Sequence, residues 1–125
     1  MADKLKILIV EDDPVNLIVS VKSLEHRNVE VFFATDAFDA LKLYDNTENL
    51  SAVITDIQLP GMDGTEMMRR MRSKEEETGV PIPIFAVTAY AFEENRRHFL
   101  ELGFDDVFIK PVDYDDILKT IQRYL

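Results

Sequence analysis

The chain has 125 residues, a formal net charge of −10 and no cysteine, a length that suits one compact domain with one core. The charge works against the phosphate-neutralising contacts that dominate nucleic-acid binding, so neither DNA nor an anionic membrane is expected as a direct partner. Without thiols there is no disulfide framework, iron–sulfur cluster or thiolate zinc site, which leaves oxygen ligands or the two histidines, His26 and His98, for any metal. Hydrophobic residues make up 46% of the chain but lie in short runs, far below the roughly 20 apolar residues of a membrane-spanning helix. Met1-Ala2-Asp3-Lys4 runs almost directly into an apolar strand and leaves no room for a signal peptide; a cytoplasmic protein is expected.

Apolar strand-like runs then alternate with segments of helical period, the signature of a parallel α/β sheet. Ile7-Leu8-Ile9-Val10 is a continuous apolar run, as for a strand covered on both faces. Asp13 is placed to cap the helix that follows and Pro14 suits its first position, with Leu17, Val21 and Leu24 on one face. Val29 to Ala34 reads as the second strand. Asp36 caps the next helix, which carries Ala40, Leu41 and Tyr44, and Ala52-Val53-Ile54-Thr55 is the third strand. Pro60-Gly61-Met62-Asp63-Gly64 supplies turn residues before a helix that sets Met67 and Met71 on one side as core filling.

Ser73 to Pro83 is polar, acidic and proline-containing and reads as a surface connection between the third helix and the fourth strand, Ile84 to Val87. A fourth helix is expected over Glu93 to Leu102, stopped by Gly103 as a left-handed cap, before the strand Val107-Phe108-Ile109. Asp113 with Asp116 gives the last helix a capping-box-like start, and Val112 and Ile117 have the spacing of a hydrophobic staple. The expected fold is a flavodoxin-like (βα)5 three-layer sandwich, a five-stranded parallel sheet in the order 2-1-3-4-5, with residues 1–125 forming one domain. His26 and His98 lie on polar helix faces and read as solvated surface.

The chemically interesting side chains fall just after the carboxyl ends of apolar strands, which in an open parallel sheet brings them to one edge. Glu11 and Asp12 follow the first strand, Asp56 the third, Thr88 the fourth and Lys110 the fifth. Each alone has an ordinary reading: a capping acidic loop, a turn aspartate, a strand-end threonine, a surface lysine. The joint arrangement carries the inference. Carboxylates gathered there repel one another unless a cation joins them, and magnesium, or manganese, suits an oxygen-only site that keeps positions open for water and phosphoryl oxygens. Lys110 adds a positive charge and Thr88 a hydroxyl for the oxygens of a transferring phosphoryl group. Asp56 is then the nucleophile.

Over essentially its whole length the chain resembles the receiver domain of two-component response regulators. The resemblance rests on Ile7-Leu8-Ile9-Val10-Glu11-Asp12-Asp13-Pro14, on Asp56-Ile57-Gln58-Leu59-Pro60-Gly61-Met62-Asp63-Gly64, on Val87-Thr88-Ala89 and on Lys110-Pro111. It implies Asp56 as the phosphorylation site, Asp12 as a direct magnesium ligand, Glu11 as the outer acid working through water, and the backbone carbonyl of Gln58 as a further ligand. It also implies a histidine kinase or phosphotransfer protein as phosphoryl donor, slow self-dephosphorylation rather than turnover, a cis Lys110-Pro111 bond, and a downstream protein partner reading the face of the fourth helix, fifth strand and fifth helix. The chain ends soon after the fifth helix, as expected of a single-domain regulator or the receiver of a larger protein such as a hybrid kinase.

Two departures stand out. Val107 occupies the position where the family commonly has the Tyr or Phe of a rotamer switch, and its neighbour Phe108 points to the opposite face and so does not substitute. Gln58 and Tyr90 stand two beyond Asp56 and Thr88, where the family tunes water access, and their bulk is expected to lengthen the phosphorylated lifetime. Competing readings fit less well. A haloacid-dehalogenase-type phosphatase places its nucleophile after the first strand in an Asp-x-Asp pattern, which Glu11-Asp12-Asp13 does not match. A flavodoxin-type FMN carrier wants a phosphate-cradling loop where this chain has acids, and a docking module without phosphorylation has no need of the intact acid, Thr and Lys set.

Overall fold

The computed structural model describes residues 4–90 and 92–125. Strands and helices alternate strictly: β1 (Lys6–Val10), α1 (Pro14–His26), β2 (Glu30–Ala34), α2 (Ala37–Asn46), β3 (Ala52–Asp56), α3 (Gly64–Thr78), β4 (Ile84–Thr88), α4 (Glu93–Leu102), β5 (Asp106–Ile109) and α5 (Tyr114–Tyr124). The five strands pair in parallel in the order β2-β1-β3-β4-β5, as the alternation of periods predicts. β1 and β3 are neighbours, with Val10 opposite Thr55, so the order in which successive strands are added to the sheet reverses at the pair that bears the acids.

Side-chain alternation along these strands divides the core in two. Leu8, Val10, Val53, Ile84, Ala86 and Val107 face one layer, where α2 and α3 contribute Ala40, Tyr44, Met67, Met68 and Met71. Ile7, Ile9, Ile54, Phe85 and Phe108 face the other, closed by Leu17 and Leu24 of α1 and Ile117 and Ile121 of α5. Of the residues that the helical spacing picked out, Leu17, Leu24, Ala40, Tyr44, Met67 and Met71 are buried in these layers, while Val21 and Leu41 pack at their margins. Val107 and Phe108 fall in opposite layers, and Phe108 stacks edge-on against Phe85 at 5.6 Å between ring centroids. His26 and His98 are exposed.

Caps set the helix starts. Asp13 accepts from Asn16 N–H at 3.1 Å, Asp36 from Asp39 N–H at 2.8 Å and Asp63 from Glu66 N–H at 2.9 Å. Asp113 accepts from Asp115 and Asp116 N–H. No return bond from the Asp116 carboxylate is present among the described residues, because aspartate is one methylene shorter than the glutamate of a capping box.

Two expectations need correction. The segment expected to be a connection from Ser73 is helical through Thr78, and Gly79, at φ +72°, is the residue that ends it. Glu75 explains the extension: it accepts from Arg72 at 3.3 Å and from Ile82 N–H at 3.0 Å, tying the last turn to the strand that follows. Gly103 does end α4, but at φ +126° and ψ 1° it lies outside the left-handed helical well.

Candidate acidic site at the carboxyl edge of the sheet

Each acid is delivered by the end of a strand. Glu11 continues β1 and is 6% exposed, with its backbone N–H held by Ala34 O at 3.1 Å. Asp12 is exposed beside it, and Asp56 closes β3 in a half-buried position. One carboxylate oxygen from each of Glu11, Asp12 and Asp56 lies within 4.8 Å of the others. Lys110, just past β5, donates from Nζ to Asp56 Oδ2 at 3.1 Å and to Glu11 Oε1 at 3.4 Å. Its peptide bond to Pro111 is cis, as the resemblance implies.

The electrostatics follow from this crowding. Burial, together with the approach of Asp56, holds the Glu11 carboxyl above its ordinary value, against the smaller pull of Asp13 N–H and Lys110. For Lys110 burial acts to lower the ammonium, but the hydrogen bond and charge of Asp56, then those of Glu11, outweigh it and hold the group above its usual range. Two of the three carboxylates, Glu11 and Asp56, therefore share one cation. An exposed rim, oxygen-only donors and negative charge in excess make a donor set that fits a small hard divalent ion.

Thr88 is buried at the end of β4. Its hydroxyl accepts from Tyr90 N–H at 3.1 Å, and its carbonyl accepts from Lys110 N–H at 2.8 Å, which couples the two strand ends through the backbone. The hydroxyl makes no hydrogen bond to Asp56 among the described residues. Gln58 is exposed two residues beyond Asp56, and chain geometry keeps it within about 7 Å of that residue. The loop it stands in is closed by Gly64 N–H donating to Ile57 O at 2.8 Å.

Beside the acids opens a cavity of about 420 Å³ between α1 and α5, bounded by Asn16, Ser20, Lys110 and Tyr114 as well as Glu11 and Asp56. The Ser20 and Tyr114 hydroxyls share a hydrogen bond of 2.8 Å across its wall. Nothing in the order of residues signals this pair, because 94 positions separate its members and only the packing of α1 beside α5 joins them.

A family model described as the response regulator receiver domain matches residues 7–122. The chain belongs to that family. Among its relatives, the sensor histidine kinase GacS of Pseudomonas protegens is 32% identical over 95% of the chain, and an uncharacterised 14.6 kDa protein of Leptolyngbya boryana is 36% identical over 97%. The chain spans 13% of GacS, 7% of the hybrid signal transduction histidine kinase L of Dictyostelium discoideum and 90% of the Leptolyngbya protein. Among solved structures, the receiver domain of sensor histidine kinase PA1611 from Pseudomonas aeruginosa superposes with a TM-score of 0.83 at 30% identity, covering 98% of each chain, and holds a magnesium ion in its active-site cleft. The Ssk1 receiver of Saccharomyces cerevisiae, solved with the histidine phosphotransfer protein Ypd1, superposes with a TM-score of 0.87 at 26% identity, covering 99% of this chain and 90% of that one. The family of this chain thus rests on a match that spans nearly its whole length, and its fold on superposition with solved receivers.

Proposed function

We propose that this receiver accepts a phosphoryl group on Asp56 from the phosphohistidine of a histidine kinase or phosphotransfer protein in the cytoplasm, with residues 1–125 as the working domain. The observation that carries the proposal is the meeting of Glu11, Asp12 and Asp56 within 4.8 Å beside a lysine 3.1 Å from Asp56. Magnesium, or manganese, would be held by Asp12 and Asp56 directly, by Glu11 through water and by the carbonyl of Gln58. When bound it supplies positive charge for the phosphoryl oxygens and offsets the repulsion among the acids.

The chain's own groups do the rest. An Asp56 carboxylate oxygen attacks phosphorus in line, an O–P bond forms as the N–P bond of the donor breaks, and the imidazole leaves with the electron pair. Lys110, already hydrogen-bonded to Asp56, turns its ammonium to a phosphoryl oxygen, and the Thr88 hydroxyl, which accepts from Tyr90 N–H, donates its own O–H to the same group. Self-phosphorylation and slow hydrolysis make this a switch rather than a turnover enzyme, and the bulk of Gln58 and Tyr90 at the rim slows the attacking water.

The readout is mechanical. Lys110 and Thr88 move together because their backbones are joined. α4 is the element free to answer: no residue of it is fully buried, its cap residue Phe92 makes no side-chain cap bond, and Arg96 ties it to Asp106 at 2.7 Å and to Val107 O at 3.1 Å. With Val107 in the core, Arg96 takes the place of an aromatic relay on the face of α4, β5 and α5 that a downstream protein reads.

Incubation of the chain with Mg2+ and acetyl phosphate, followed by intact mass, tests the proposal. The parent gains one phosphoryl group and Asp56→Asn gains none. Steady turnover of phosphomonoesters without a lasting adduct would favour the phosphatase reading instead.

A further inference from the structure

Resting on the phosphoacceptor reading, we infer that Thr55 and Gly64 are positioning residues that grip the main-chain carbonyl of Asp56 from two sides. Thr55 is fully buried, and its hydroxyl donates to Asp56 O at 2.8 Å. Gly64 begins α3, where a Cβ would stand 2.3 Å from the same oxygen, 3.3 Å from its carbonyl carbon and 3.2 Å from Ile57 Cα. Backbone atoms cannot swing aside as a side-chain end can, so a methyl group there displaces the carbonyl by about 0.7 Å to reach the 3.0 Å that real Cβ contacts keep.

The glycine is there for the contact and not for its conformational freedom. Positive φ occurs at Gly61, Gly79 and Gly103, not at Gly64. Alanine suits the backbone at this position and is the better helix former, so on local grounds Gly64→Ala would stabilise α3. Gly79 is the opposite case, with φ +72° and nothing within 4 Å of its Cβ direction.

The grip matters because Asp56 Cβ and the carboxylate start from that peptide. On the face opposite Thr55, Asp56 Oδ2 is 3.1 Å from Lys110 Nζ, and a set of acids that is to hold an ion tolerates little drift: productive constellations hold to about 0.5 Å. The two contacts also fix both ends of the loop that presents Gln58, since Gly64 N–H is bonded to Ile57 O.

Four variants of the full chain test this: Gly64→Ala, Thr55→Val, Thr55→Ser and Gly79→Ala. Each is read by the Mg2+ dissociation constant from calorimetry, the rate of phosphorylation by acetyl phosphate and the melting temperature. Gly64→Ala weakens Mg2+ binding and slows phosphorylation at least about tenfold, given the cost of a misplacement near 1 Å. Thr55→Val loses about fivefold in both, the factor to which one hydrogen bond converts, and Thr55→Ser restores them. Gly79→Ala lowers the melting temperature and leaves both site constants alone. A Gly64→Ala protein that folds with parental Mg2+ affinity and rate overturns the inference, as does Thr55→Ser behaving like Thr55→Val. Should Gly64→Ala not fold, the Thr55 pair decides. A parent that binds Mg2+ but takes no phosphoryl group overturns the phosphoacceptor reading, while the Mg2+ constants still judge the grip.

Discussion

At the amino-terminal edge of the sheet, Arg72 donates to Glu75, to Asp105 at 2.6 Å, and to the carbonyls of Ile82 and Gly103. The two acids are themselves used a second time, Asp105 by Ile84 N–H at 2.7 Å and Glu75 by Ile82 N–H. At the carboxyl edge three carboxylates meet, and Lys110 contacts two of them, Asp56 and Glu11. Both edges gather charge near buried backbone. The first network sets one guanidinium against two acids, and in each acid one oxygen accepts from both Arg72 and a backbone N–H, which ties helix, loop and strand together. The second leaves Asp12 exposed beside a larger negative excess, and burial together with the approach of Asp56 holds the Glu11 carboxyl above its ordinary value. Acids matched by a guanidinium fork and by backbone donors mark a joint in the fold, whereas acids that outnumber their donors at a rim mark a place where something binds.

Removing the hub of the matched network breaks the comparison most severely. Arg72→Ala leaves two partly buried acids without their cation and should cost about 3 kcal/mol, the lower end for a broken buried pair, or roughly 10 °C in melting temperature for a domain of this size. Phosphorylation of the folded fraction by acetyl phosphate should stay at the parental rate. A melting temperature within a degree of the parent would mean that the network is ornamental.

The opposite sign is expected at the other edge. Glu11→Gln removes one of the crowded charges, and the metal-free protein should gain on the order of 1 kcal/mol near neutral pH while its Mg2+ affinity falls about tenfold. The folded Glu11 carboxyl lies above its unfolded value, so its contribution is fully present below the unfolded pKa and is lost as pH rises through the folded one. The advantage of Gln over Glu should therefore grow with rising pH across that window and vanish in acid. Melting curves of both proteins in EDTA, taken over pH, check this. A pH-independent difference would show that Glu11 is not strained by its neighbours.

The acids were legible because each ends an uninterrupted apolar run, and strand ends in a parallel sheet share an edge whatever the loops do. The split of Val107 and Phe108 between two layers was equally legible, since alternation along a strand is rigid. Arg72 was not: its partner Asp105 is 33 residues away, and nothing in a polar helix turn announces which loop will pass beside it. The same blindness turned the end of α3 into an expected connection, because the polar, acidic stretch from Ser73 reads as surface until Ile82 N–H is seen to reach Glu75. Gly64 read as one turn residue among several, and only the Asp56 carbonyl beside it shows that a side chain is forbidden there. Local pattern reports which residues reach an edge, and tertiary contact decides which of them are already spoken for.

Location at the carboxyl edge is not enough to make a polar contact functional, and Tyr114 isolates the point. Its hydroxyl bonds Ser20 across the cavity wall at 2.8 Å, close to Asp56 and Lys110 but matched within itself. Tyr114→Phe removes one neutral hydrogen bond and should cost about 0.5 kcal/mol, the low end for such bonds, because Ser20 is left facing a cavity roomy enough for water. Neither Mg2+ affinity nor the phosphorylation rate should change by more than about twofold, as the lost bond falls below the scale at which affinity shifts tenfold. Calorimetry with Mg2+ and intact mass after acetyl phosphate read both quantities on one preparation. A tenfold loss in either, with the melting temperature nearly unchanged, would place the hydroxyl pair inside the acid site and extend that site to the cavity wall.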